Sequence, residues 1–198
     1  DRLQKTAFRF GLGDYVFQDF FEEAKGLVPS TSWKREALGK SWYLGETMIS
    51  GIGQGYIKTT NVQLCKMIAQ FANGGYQINA SFFDSSDQAL GEKIIDDDEH
   101  IELILKSLFE ATNLPGGTSY RSRIPGTMKI AGKTGTAQVK KISESQREQD
   151  LKNKDLPWKF RDHSLFTGYG PADNPKYAIS VIIEHGGSGS AVAAPIAR

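Results

Sequence analysis

The stretch Met128-Lys129-Ile130-Ala131-Gly132-Lys133-Thr134-Gly135-Thr136-Ala137-Gln138-Val139 constrains this chain more than any other. It mixes apolar and polar residues in the manner of a strand. Two further strand-like runs follow it, His163–Gly170 and Tyr177–Glu184, with a turn at Pro171–Pro175 between them. Three successive strands joined by a loop and a tight turn predict an antiparallel sheet. The segments before residue 113 read instead as helices. Helices first and strands last predict an α+β fold, an antiparallel sheet flanked by helices.

The central strand carries chemistry. Side chains alternate along a strand, so Thr134 and Thr136 share one face and Lys133 points to the other. Two hydroxyls spaced by two can hydrogen-bond one carboxylate. The ammonium of Lys133 sets the local potential. An edge strand could also pair its outward backbone groups with an extended peptide. Gly135 removes a side chain where backbone or substrate comes close. Together these features predict an edge strand that reads a carboxylate. A phosphate loop is the rival, because Gly132-Lys133-Thr134 matches its last three positions. That loop needs glycine five residues earlier, where Thr127 stands, and a helix afterwards. Neither condition is met.

The rest of the chain supplies the frame. Residues 1–13 predict a helix with a glycine stop at Gly11-Leu12-Gly13. Ser32 is a candidate N-cap for a short helix through Trp33 and Ala37. Gly51-Ile52-Gly53-Gln54-Gly55 predicts a turn with close backbone contact, since no clear strand precedes it as a dinucleotide loop requires. Thr60 and Gln63 form a capping box for an apolar helix that ends at Asn73-Gly74-Gly75. Residues 76–95 are weakly patterned. Asp96-Asp97-Asp98-Glu99 suits the first turn of the helix that follows, and consecutive carboxylates make a poor hard-cation site. Residues 140–162 form a long loop with seven Lys or Arg and five Asp or Glu, readable as a flap over the site or as a plain connection.

Composition narrows the function. A net charge of +1 leaves no footprint for nucleic acid or a membrane surface. The single cysteine, Cys65, excludes an internal disulfide and reads as a buried structural thiol. No stretch approaches the ~18 apolar residues of a spanning helix. His163 reads as a structural hydrogen-bonding group at a strand start, whereas His100 and His185 have no identifiable partners. Trp33, Trp42 and Trp158 read as packing residues. The environment of Thr118 is open.

Several pieces, in this order, resemble the penicillin-binding proteins, nearest to the elongation-type class B enzymes that cross-link peptidoglycan in rod-shaped bacteria. They are Trp33-Lys34 with Trp42-Tyr43, Gly51–Tyr56, Lys133-Thr134-Gly135-Thr136-Ala137-Gln138-Val139, Arg161–Phe166 and Ile182–Gly187. The resemblance covers nearly the whole chain. It implies a serine D,D-transpeptidase that acts on the D-Ala-D-Ala end of a stem peptide, is acylated by β-lactams and needs no cofactor or metal. It implies that Lys133 hydrogen-bonds a serine of a Ser-x-Asn element. It further implies that Thr134 and Thr136 hold a carboxylate, beside Gly135, and that the Thr136 N–H forms half of an oxyanion hole.

Neither Ser-x-x-Lys nor Ser-x-Asn occurs in these 198 residues. The expectation is therefore that residues 1–198 are the C-terminal portion of one transpeptidase domain and are inactive alone. The resemblance also implies a five-stranded sheet with two strands from elsewhere, which would leave 177–184 an exposed edge and favour self-association. It implies a parent anchored in the bacterial cytoplasmic membrane, a periplasmic catalytic domain and a partner glycosyltransferase of the elongation machinery. The alternative is a non-catalytic module of a cell-wall assembly complex that holds a peptide carboxylate on the same strand.

Overall fold

The computed structural model describes residues 2–17, 22–83, 91–139 and 153–198. The fold is α+β, with a three-stranded antiparallel sheet. The chain forms two compact units, residues 1–101 and 102–198.

Among its described residues the first unit holds four whole helices and the start of a fifth. Helix α1 (Arg2–Arg9) ends before Gly11 and Gly13, both at positive φ, as the glycine stop predicts. Helix α2 (Thr31–Leu38) is capped by Ser30, whose Oγ accepts from the Trp33 N–H, and not by Ser32. Ser32 stands inside the first turn, and its hydroxyl meets that of Ser30 at 2.9 Å. Helix α3 (Leu44–Gly51) takes in residues that the sequence did not mark as helical. Its first turn is closed by Glu46, whose carboxylate accepts from the Tyr43 N–H at 2.8 Å. Gly53 and Gly55 then turn at positive φ. A Cβ at Gly51 or Gly53 would meet nothing within 4 Å. The Gly-rich turn therefore answers a conformational demand at Gly53, while the close approach expected of it is found only at Gly55, where a Cβ would fall 3.1 Å from Ile49 Cγ2.

Helix α4 (Asn61–Ala72) has the capping box that the spacing predicts. Thr60 accepts from the Gln63 N–H, and Gln63 accepts from the Thr60 N–H. Gln63 is also wholly buried, and its Nε2 donates to the carbonyls of Asp14 and Lys25. Gln70 likewise donates to Phe10 O and accepts from Ile78 N–H. Phe10 stacks on Phe71 with centroids 4.4 Å apart. Cys65 is half-buried rather than buried, and that burial still raises its thiol pKa. Lys34 is 2% exposed, and its Nζ donates to Ser41 O and to both oxygens of Glu46.

Helix α5 (Asp98–Asn113) begins with Asp98 and Glu99 in its first turn, as the acidic cluster predicts. In the second unit, strand β1 (Ala131–Ala137) pairs with β2 (His163–Gly170), which pairs with β3 (Tyr177–Ile183). Strand β1 is shorter than the alternating run at both ends. Phe166, on β2, is buried together with Ala193 and Ala194. Those alanines belong to a π-helical turn (Gly189–Ala193) and to helix α6 (Ala194–Ala197). Ser164 pins this segment to the sheet by donating to Ser188 O and accepting from Ala193 N–H. Within 140–162, residues 153–155 and 158–160 form short 3-10 turns. Of the loop 140–162, readable as a flap or as a plain connection, residues 140–152 lie outside the described residues. No described helix is long and apolar enough to cross a membrane.

Candidate functional site

Strand β1 is an edge strand of the described sheet. Its outer side is covered unevenly. Asn113 Nδ2 donates to Ile130 O at 2.8 Å, and Thr112 Oγ1 lies 3.2 Å from Gly132 O. Alternate residues of a strand turn their backbone groups to the same edge. The carbonyls of Ile130 and Gly132 point outward, so the outward groups farther along belong to Thr134 and Thr136. The end of α5 thus buttresses one half of β1 and leaves the other half beyond its reach.

The half beyond that reach carries all four predicted site residues. Lys133 and Thr136 are exposed, while Thr134 and Gly135 are half-buried. Lys133 Nζ donates to Thr134 O at 3.0 Å. Alternation puts Thr134 and Thr136 on one face and Lys133 with Gly135 on the other. The close approach at Gly135 is made by backbone. A Cβ on Gly189 would sit 2.4 Å from Gly135 O and from Leu165 O, whereas one on Gly135 would meet only Leu165 Cβ, at 3.3 Å. Glycine is thus more tightly required at 189 than at 135.

Thr118 enters this neighbourhood unforeseen. Thr134 Oγ1 donates to Thr118 Oγ1 at 3.0 Å. The loop bearing Thr118 is fixed on both flanks. Ser119 donates from both its N–H and its hydroxyl to Ala111 O. A Cβ on Gly117 would fall 2.4 Å from the same carbonyl. No sequence spacing signals this meeting, because it depends on a loop folding back over the end of α5.

At the far end of β1, opposite Ala137, His163 Nδ1 accepts the His185 N–H at 2.9 Å. His163 therefore has the structural role expected at a strand start. His185, contrary to expectation, is well partnered. Its Nδ1 lies 2.9 Å from Arg161 O, and its ring meets those of His163 and Trp158 at 4.8 and 4.3 Å. These contacts hold His185 at φ +56. Trp33 packs on Tyr56, and Trp42 donates to Thr47 Oγ1. No group of three or more His, Cys, Asp or Glu side chains that could hold a metal ion occurs among the described residues.

What the strand can do chemically is hold an anionic, extended ligand by hydroxyls, outward backbone groups and one ammonium. Known proteins share this frame. The family model described as "Penicillin binding protein transpeptidase domain" matches residues 1–198. The peptidoglycan D,D-transpeptidase MrdA of Salmonella typhimurium strain SL1344 is 34% identical over 209 residues, covering 100% of this chain and 33% of the relative. MrdA of Escherichia coli K12 is 31% identical, covering 97% of this chain and 31% of its own length. A crystal structure of Pseudomonas aeruginosa PBP2 in complex with WCK 5153 is similar at TM-score 0.80 and 36% identity, covering 100% of this chain and 42% of that one. PBP2 of Helicobacter pylori, in a complex with MreC, is similar at TM-score 0.83 and 28% identity, covering 98% and 34%. The chain spans about a third of the length of the curated relatives it matches. Matched from end to end, it belongs to the penicillin-binding protein transpeptidase domain family.

Proposed function

We propose that this chain is the C-terminal portion of the transpeptidase domain of a peptidoglycan D,D-transpeptidase, and that it supplies the Lys133–Thr136 wall of the active site. The observation that carries this reading is that β1 is an edge strand of the described sheet, with Lys133, Thr134, Gly135 and Thr136 lying past the two carbonyls that the end of α5 holds. The reaction is acyl transfer. A serine oxygen attacks the carbonyl of the penultimate D-Ala, the tetrahedral intermediate expels the terminal D-Ala, and the amine of a second stem peptide takes the acyl group. The serine and its base come from outside these 198 residues, since no Ser-x-x-Lys occurs here.

Each wall residue has a role. Lys133 raises the local potential and hydrogen-bonds a serine of the missing Ser-x-Asn element. Thr134 and Thr136 line the pocket of the terminal carboxylate, and Gly135 keeps the wall low beside it. The Thr136 N–H stabilises the developing oxyanion. A β-lactam enters the same site and stays as the acyl-serine. The longer protein would be membrane-anchored with this domain in the periplasm. It would work with a glycosyltransferase of the elongation machinery and with an MreC-like partner, as suggested by the Helicobacter pylori complex.

Labelling with a fluorescent penicillin, read by intact mass, tests this. The chain alone should carry no covalent adduct, and the longer protein should carry one per molecule. An adduct on the chain alone would mean that another residue is the nucleophile. Absence of labelling in the longer protein would favour a non-catalytic module that merely holds a peptide carboxylate.

A further inference from the structure

We propose that Thr118 is a third hydroxyl of the carboxylate pocket and that it, rather than Thr134, donates the hydrogen bond to the ligand. The inference rests on the transpeptidase reading above and adds to it a residue outside the Lys-Thr-Gly strand. A hydroxyl has one hydrogen and two lone pairs. Thr134 gives its hydrogen to Thr118 Oγ1. Toward an incoming carboxylate Thr134 then presents only lone pairs, which repel it. Thr118 has the complementary arrangement. It accepts from Thr134, and its own hydrogen has no acceptor among the described residues. The residue is exposed, so that hydrogen can be offered to a ligand.

The geometry favours this relay in two further ways. A hydroxyl that accepts a hydrogen bond becomes a stronger donor, because successive bonds polarise one another. The loop is also preorganised. Gly117 donates to Leu114 O and has no room for a side chain, while Ser119 is 1% exposed and bonded to Ala111 O. Lys133, held against Thr134 O, adds positive charge on the adjoining peptide. Thr134 thus acts through Thr118: it orients and polarises the hydroxyl that touches the ligand.

The test uses the longer, acylatable protein and the variants Thr118→Val and Thr118→Ser. The probes are benzylpenicillin and its methyl ester, which lacks the negative charge. Valine keeps the shape and removes the hydroxyl. It should slow acylation by the free acid about tenfold, as expected for loss of a hydrogen bond to a charged group. The loss should appear in apparent affinity rather than in the saturated rate. Serine should restore the rate to within about twofold, because it restores the donor. The ester should react equally with wild type and Thr118→Val. Equal acylation of both by the free acid would overturn the proposal, and so would equal slowing with acid and ester. Failure of the wild type to be acylated would instead bring down the transpeptidase reading, and this inference with it.

Discussion

Among the described residues, 2–101 are cross-tied by buried amides that reach far along the sequence to bond backbone, whereas 102–198 add a three-stranded backbone ladder to their side-chain ties. In the first unit Gln63 reaches carbonyls 49 and 38 positions away, and Gln70 reaches one 60 away. In the second, β2 pairs along its length with β1 on one side and β3 on the other. The difference teaches where each unit is vulnerable. One amide in the first unit satisfies several buried backbone groups, so its loss leaves several of them without partners. A sheet position without such bonds, unlike Ser164, carries no such burden unless its added volume strikes a neighbour.

The largest effect should come from Gln63→Ala. It removes bonds to Thr60, Asp14 and Lys25 at a wholly buried site, and should cost about 3 kcal/mol in urea unfolding. A cost near zero would break the contrast. Next is Gly132→Ala, whose Cβ would fall 2.6 Å from both Phe166 Cζ and Thr167 O. It should cost about 2 kcal/mol, against under about 1 kcal/mol for Gly135→Ala. Equal costs would show that β1 is not packed tightly at one end and loosely at the other.

Thr112→Val is a smaller perturbation. It removes the hydroxyl beside Gly132 O and Ser119 Oγ, and should cost about 1 kcal/mol. Amide exchange should rise in the 117–119 loop, and unchanged protection there would argue against the buttress. The smallest effect belongs to Asp14. The Tyr15 N–H and the Lys25 ammonium hold its carboxyl below the ordinary 3.8. A depressed carboxyl stabilises the fold above its unfolded value and loses that contribution as pH falls through the folded one. Asp14→Asn should therefore flatten the stability profile slightly below about pH 4 and leave neutral pH little changed. An unchanged slope would remove Asp14 from the account.

How far the sequence speaks follows the same division. The strands of the second unit were legible because alternation and flanking glycines act locally: β2 was bounded as read, and β3 lost only Glu184. The Thr60–Gln63 capping box was legible for the same reason. That Gln63 also bridges two distant carbonyls was not, since burial of an amide leaves no local signature. Helix α3 escaped because Tyr43 offers no short side-chain cap, and because Glu46 is engaged with buried Lys34. In the candidate site, Lys133, Thr134, Gly135 and Thr136 are contiguous and so were visible together. Thr112 and Thr118 were not, because only the return of a loop past the end of α5 brings them to β1.

The buttress on β1 also works as a clamp on register. Asn113 and Thr112 hold the carbonyls of Ile130 and Gly132, two positions apart on one edge of the strand. A slip of β1 by one residue would turn other backbone groups to that edge and lose both bonds at once. The end of α5 therefore fixes the alignment of β1 from the side opposite β2.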